Sequence, residues 1–309
     1  MFSYRHAFHA GNHADVLKHL ILLATLRHLM RKPAPLTLID THAGTGLYRL
    51  DDGAARVSGE ALEGIARLAA PGAVAGPAPA LADYLALVAS FNPGVAPSDW
   101  RLYPGSPFLM HALMTEPERT AVHDRLKLFE LHPTDAPSLH THIAQLEAGR
   151  RVAVARQDGF EGLKGLLPPP AAEGGSRRAL VLIDPSYEIK SDYGKVGAAI
   201  QDSLKRFSTG VYLIWYPIIA RPEAHSLPRR LKTLAQQAGR GWLQATLSIG
   251  TAPVARAGDE PQRPGLTASG LFVVNPPHPL AEALGLALPQ LLHALGRGRG
   301  QGYTLDSGG

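Results

Sequence analysis

The chain has 309 residues, long enough for one large domain with an insertion or for two domains. Hydrophobic residues make up 45% and charged residues 18%, and no apolar run approaches the ~18 residues that would cross a bilayer, so a membrane protein is excluded. Cysteine is absent, which removes disulfides, thiolate metal sites and a cysteine nucleophile. The net charge of +5 favours a polyanionic partner, without naming one.

The N-terminal stretch "MFSYRHAFHAGNHADVLKH" has no apolar core behind a basic start and no small-residue cleavage site, so it does not read as a secretory signal, and a cytoplasmic location is expected. A helical pattern, "DVLKHLILLATLRHLMRK", leads into the first of seven short apolar runs. These are "LTLIDTHAG" (36–44), "RLKLFELHP" (125–133), "VAVARQDG" (152–159), "ALVLIDPSY" (179–187), "GVYLIWYPI" (210–218), "WLQATLSIG" (242–250) and "SGLFVVNPP" (269–277). Most are continuously apolar rather than alternating, as in strands covered on both faces, and helical patterns separate them. Strands alternating with helices predict an α/β fold with a seven-stranded, mostly parallel sheet. From 47 to 100 the rhythm breaks, and "GEALEGIARLAA" and "PALADYLALVASF" predict a small helical insertion after the first strand. The main domain resumes over 101–295. The Gly-rich residues 296–309 predict a disordered tail.

Ligands of open α/β sheets bind beyond the carboxyl ends of the strands, so the residues that follow strands carry the chemistry. After the first strand, Gly44 and Gly46 would let backbone approach a ligand closely. A dinucleotide fingerprint asks for a third glycine at position 49, which is Arg49. Glu130 ends the second strand and suits the hydroxyls of an adenosine ribose. Asp158 and Gly159 end the third, where a carboxylate and a backbone N–H could hold an adenine, although Asp-Gly is also a common turn.

The fourth strand ends in Asp184-Pro185-Ser186-Tyr187. The exocyclic amine of adenine is a poor nucleophile because its lone pair is delocalised into the ring. The Asp184 carboxylate and the Pro185 carbonyl, accepting its two N–H bonds, would favour the pyramidal, localised lone pair, with Tyr187 stacked on the base. A rival, Asn275-Pro276-Pro277-His278, follows the last strand. The fourth strand neighbours the first at the switch point, which favours Asp184. His6, His9, His13 and His19 with Asp15 invite a zinc reading, but "HAGN" reads as a turn, so no metal is expected. Tyr4 and Arg5 suit a base or phosphate.

With "SYRHAFHAGNHADVLKH", "DTHAGTGLY", "LYPGSP", "ELHPTD", "DGF", "LIDPSYE", "TGVYLIWYP" and "LTASGLFVVNPP" in this order, the chain resembles the RlmJ-type 23S ribosomal RNA adenine N6-methyltransferases over about residues 1–280. The resemblance implies a Rossmann-like class I methyltransferase that uses S-adenosylmethionine. It places His19, His42, Ser106, Glu130, Asp158 and Gly159 at cofactor-binding positions, Asp184 at the catalytic acceptor and Tyr4 at a contact with substrate RNA. Ser186 departs from the family, which has a second proline there, leaving both amine acceptors in place. Lys190 and Tyr193 lie in a segment expected to act as a substrate-gated lid, and Lys18 is expected to contact phosphate. The expectation is a metal-free, monomeric enzyme acting on naked or early-assembly 23S RNA. A DNA adenine or protein glutamine methyltransferase, and an RNA-binding module that binds cofactor with impaired turnover, remain the alternatives.

Overall fold

The computed structural model describes residues 6–53, 58–172, 175–251 and 265–309. Helix α1 (His13–Met30) precedes β1 (Thr37–Asp40). The insertion is entered by β2 (Leu47–Arg49), contains a π-helical turn (Leu62–Ala66) and α2 (Pro79–Ser90), and is left by β3 (Leu102–Pro104). Then come α3 (Ser106–Met114), β4 (Arg125–Phe129), α4 (Asp135–Ala144), β5 (Val152–Ala155), α5 (Gly159–Leu166) and β6 (Ala179–Ile183). The chain closes with α6 (Ser191–Arg206), β7 (Val211–Pro217), α7 (Pro222–Gln237), β8 (Trp242–Ser248), β9 (Ala268–Val274), α8 (Leu280–Leu295) and β10 (Gly302–Gly308).

The main sheet has the order β10-β8-β9-β7-β6-β1-β4-β5. Strands β5, β4, β1, β6 and β7 are parallel, while β9 runs antiparallel to both β7 and β8. The chain steps outward from β1 to β4 and β5, then returns to place β6 on the other side of β1. The switch point therefore lies between β1 and β6, at Asp40 and Asp184.

Alternate residues of each central strand enter different cores. Leu180 and Leu182 of β6 join the core beneath α1, α3 and α8, whereas Val181 and Ile183 join the core beneath α5, α6 and α7. Both faces are buried, which is why the strands read as continuous apolar runs. Helix α1 is similarly enclosed: every residue from His13 to Leu23 is buried, including Asp15, Lys18 and His19. Its start is fixed by the Asn12 side chain, which accepts from Ala14 N at 2.9 Å and Asp15 N at 3.0 Å.

Among its described residues the insertion has no core of its own. Ile65, Leu68, Leu81, Tyr84 and Val88 belong to the same apolar cluster as α1 and α8. The antiparallel pair β2–β3 draws its two ends together, and this short strand pairing was not visible in the sequence.

Two expectations are corrected. The main sheet has eight strands rather than seven, and the segment 296–309 is not a disordered tail: β10 pairs antiparallel with β8 from Gly302↔Ser248 to Gly308↔Trp242. An edge strand offers a row of unpaired N–H and C=O groups that binds backbone whatever side chains it carries. Hydrophobic patterning carries no trace of such a strand, because most of β10 is exposed. Thr304 and Thr246 hydroxyls meet at 2.7 Å across the pair, and Gly308 lies against the Trp242 ring where a Cβ would come within 3.0 Å of it. No helix among the described residues is long and apolar enough to cross a membrane.

Candidate active site

One cavity of about 300 Å³ opens at the carboxyl ends of β1, β4, β5 and β6. It is lined by His19, His42, Gly44, Ser106, Glu130, Asp158 and Gly159, together with Asp184, Pro185 and Ser186. Residues far apart in sequence meet there because the parallel strands all end at one edge.

Local packing fixes the glycines. At Gly159 a Cβ would stand 2.0 Å from the Thr41 carbonyl oxygen, so only glycine lets the start of α5 approach the β1 loop. Gly44 has φ +59°, and a Cβ there would lie 2.1 Å from the Tyr48 hydroxyl. The carboxylate of Glu130 accepts from Gly44 N at 2.8 Å and His132 N at 2.7 Å, which ties the β4 end to the β1 loop. Burial raises its pKa. Asp158 caps α5, its Oδ1 accepting from Phe160 N at 2.8 Å. Asp158 is thus both a helix cap and a wall of the cavity.

Asp40 is fully buried behind Ser106, whose Oγ donates to Asp40 Oδ2 at 2.6 Å, and burial pushes its carboxyl up to about 6. His42 is neutral: burial lowers it to about 4, Thr41 Oγ1 lies 2.8 Å from its Nδ1, and its ring meets Phe160 edge-on.

At the Asp184 turn, Lys18 Nζ donates to Asp184 Oδ2 at 2.5 Å and lies 2.8 Å from Asp15 Oδ1. Burial opposes the charge on Lys18, but Asp15 and Asp184 outweigh it and hold the ammonium well above its usual range. Burial likewise opposes ionisation of Asp15, while His6 and Lys18 hold it well below the usual carboxylate range. Among the described residues no other hydrogen bond reaches Asp184, so its Oδ1 is open to a ligand.

Three placements correct the sequence reading. Lys18 does not meet solvent as a phosphate contact would; it is 4% exposed and anchors Asp184. Tyr187 is not open for stacking: it is 2% exposed, sits at φ +54°, donates to the Trp215 carbonyl at 2.7 Å and packs against Tyr193. Tyr193, at 4% exposure, supports that packing rather than facing RNA. Both rings belong to the apolar cluster shared by β7, α6 and α7, which braces the turn. Lys190 is exposed near Glu223, and Tyr4 and Arg5 lie outside the described residues.

The rival Asn275 is at the opposite edge of the sheet. Because β9 is antiparallel, its end lies beside the beginning of β7, where Asn275 Nδ2 donates to the Ser208 and Gly210 carbonyls at 2.8 and 2.7 Å. It closes a turn. Among the described residues no group of three His, Cys, Asp or Glu side chains is arranged to hold a metal ion.

Sequence reasoning missed the His6–Asp15–Lys18 chain behind Asp184, in which His6 Nε2 lies 3.0 Å from Asp15 Oδ2. A signal existed: Asp15 and Lys18 stand three apart at the start of a helix that runs into the apolar stretch Leu20–Leu23, where an unpaired charge would be costly.

The sheet order, with its switch point at Asp40 and Asp184 beside a cavity at the carboxyl ends of the parallel strands, is that of a methyltransferase of Rossmann-like fold. The chain belongs to the family described as "Ribosomal RNA large subunit methyltransferase D, RlmJ", which matches residues 33–306. Among curated relatives, "Ribosomal RNA large subunit methyltransferase J" of Escherichia coli (strain K12) is 40% identical over 291 residues, covering 94% of this chain and 93% of its own. The protein of the same name from Haemophilus influenzae is 38% identical over 295 residues, covering 96% and 94%. A crystal structure of a Legionella pneumophila protein superposes with a TM-score of 0.77 at 30% identity, over 97% of this chain and 98% of that one.

Proposed function

We propose that the chain transfers a methyl group from S-adenosylmethionine to the N6 amine of one adenine in 23S ribosomal RNA, in the cytoplasm and without a metal ion. The observation that carries this reading is the position of Asp184 and Pro185 in the same cavity as Glu130, Asp158 and Gly159.

The donor set suits the cofactor. Glu130 is placed to accept the ribose hydroxyls, and Asp158 with the first N–H groups of α5 to hold the adenine amine and ring nitrogen. Ser106, His42 and Gly44 close the side nearest β1. When bound, S-adenosylmethionine supplies an electrophilic methyl group on sulfur.

Asp184 Oδ1 and the Pro185 carbonyl accept the two N–H bonds of the target amine and stabilise its localised lone pair. Lys18 holds Oδ2 and so fixes the carboxylate plane. After transfer the surplus amine proton passes to Asp184 or to water. A base can reach this depth only from a single strand or by leaving its helix. The two curated relatives are named as methyltransferases of large-subunit ribosomal RNA, which supports that RNA as the source of the base.

Radiolabelled methyl transfer to unmodified 23S RNA, DNA and a glutamine-containing protein tests the reading. Label in the RNA alone supports it. Label in DNA or protein alone assigns one of the other substrates, and cofactor binding with no transfer assigns a binding module.

A further inference from the structure

A hydrogen-bonded chain runs from the helical insertion to the cavity wall. Tyr84 of α2 places its hydroxyl 3.0 Å from the Tyr103 hydroxyl, and Tyr103 of β3 places its own 2.7 Å from His19 Nδ1. Tyr84 and Tyr103 are fully buried and His19 is 1% exposed. His19 lines the cavity, and its Nε2, on the other side of the ring from Tyr103, is buried without a hydrogen-bond partner.

Counting protons along this chain fixes its direction. Each tyrosine has one O–H to donate, and no further acceptor for Tyr84 is present among the described residues. If His19 Nδ1–H donated to Tyr103, Tyr103 would donate to Tyr84, and a buried Tyr84 O–H would be left over at a cost of about 1–3 kcal/mol. With Tyr84 donating to Tyr103, and Tyr103 to His19 Nδ1, both hydroxyl protons are used, and the one donor left over is His19 Nε2–H, on the residue that lines the cavity, where a bound ligand can accept it. The imidazole is then neutral with its proton on Nε2. Burial, together with the neighbouring Lys18 ammonium, keeps it from taking a second proton.

We infer that Tyr84 and Tyr103 are positioning residues that hold His19 as an Nε2–H donor directed at the amino-acid carboxylate of the bound cofactor. The choice of acceptor follows from charge. The carboxylates Glu130 and Asp158 suit the hydroxyls and amine of the nucleoside end, which leaves the carboxylate of the other end for a neutral donor and the nearby Lys18 ammonium. The insertion thus supplies the residue that selects the histidine tautomer. This inference rests on the cofactor assignment proposed above.

Two measurements test it. In ¹⁵N-histidine spectra of the wild-type protein, His19 should show the Nε2–H tautomer near neutral pH; an Nδ1–H signal overturns the inference with no variant needed. In Tyr103→Phe, the tautomer should become mixed and S-adenosylhomocysteine should bind roughly five- to tenfold more weakly, as for one lost hydrogen bond. Tyr84→Phe should have a smaller effect in the same direction. If Tyr103→Phe leaves both tautomer and affinity unchanged while only lowering Tm, the tyrosines are structural and the inference fails. If wild-type protein does not bind S-adenosylhomocysteine at all, the cofactor assignment fails and takes the inference with it.

Discussion

Lys18 Nζ and Asp184 Oδ2 are 2.5 Å apart, so the turn at the end of β6 is tied to the first helix across 166 positions of sequence. The same ammonium is 2.8 Å from Asp15, which leaves one positive charge between two carboxylates in a nearly dry environment. The cation holds one oxygen of Asp184, and the other oxygen keeps its lone pairs free for a ligand.

Replacing Lys18 by Met should therefore be costly twice. Asp184 would lose its cationic partner and Asp15 would keep only His6, lowering stability by roughly 3 kcal/mol. The carboxylate would lose its fixed plane, and kcat should fall about ten- to a hundredfold. Chemical denaturation and single-turnover kinetics measure the two effects separately. A phosphate-binding lysine would instead raise KM for RNA and leave stability unchanged.

Asn275→Ala should behave in the opposite way. Its amide satisfies two backbone carbonyls, and its φ of +55° is tolerated better by asparagine than by alanine. A loss of about 2–3 kcal/mol is expected. Turnover per folded molecule should be unchanged, because the side chain is at the far edge of the sheet.

Acidification should destabilise the fold from about pH 6.5 downward. Burial lowers His19 to about 3 and His13 and His42 to about 4, whereas the unfolded chain takes up these protons near 6.5. Between those limits the unfolded state binds more protons, so stability falls as pH falls. Asp15, held well below its ordinary 3.8, extends the loss at lower pH. Asp40, raised to about 6, and the raised Glu130 and His9 act in the other direction. The three large histidine shifts outweigh them. Calorimetry at pH 7, 5.5 and 4.5 should give a declining Tm; a Tm that rises on acidification would show that these histidines are not buried neutral.

Deleting residues 298–309 removes β10 and uncovers the edge of β8 and part of α8. The variant should melt about 5 °C lower and self-associate more readily, since a bare apolar sheet edge recruits other chains. A disordered tail would leave both properties untouched when removed.

The strands β1, β4, β5, β6, β7, β8 and β9 were legible because burial on two faces leaves continuous apolar runs between polar ends. The residues at those ends were legible for the same reason: Glu130, Asp158 and Asp184 stand where an apolar run stops. Strand β10 was hidden because most of it is exposed and carries no apolar pattern. Lys18, Tyr187 and Tyr193 were misplaced because residue type was taken as a guide to exposure. A lysine reads as a surface charge until its partners Asp15 and Asp184 are known, and they come from different parts of the chain. The Tyr84–Tyr103–His19 chain joins three elements and has no local pattern.

The measurement that reaches the central claim most directly is nucleoside mass spectrometry of unmodified 23S RNA after incubation with S-adenosylmethionine and either wild-type or Asp184→Ala protein. The wild type should produce N6-methyladenosine at one site, and Asp184→Ala should bind S-adenosylhomocysteine normally yet lose at least about a hundredfold in rate. Methylation at a position other than an adenine amine, or an Asp184→Ala protein that retains its rate, would contradict the assignment of Asp184 as the acceptor that activates the amine.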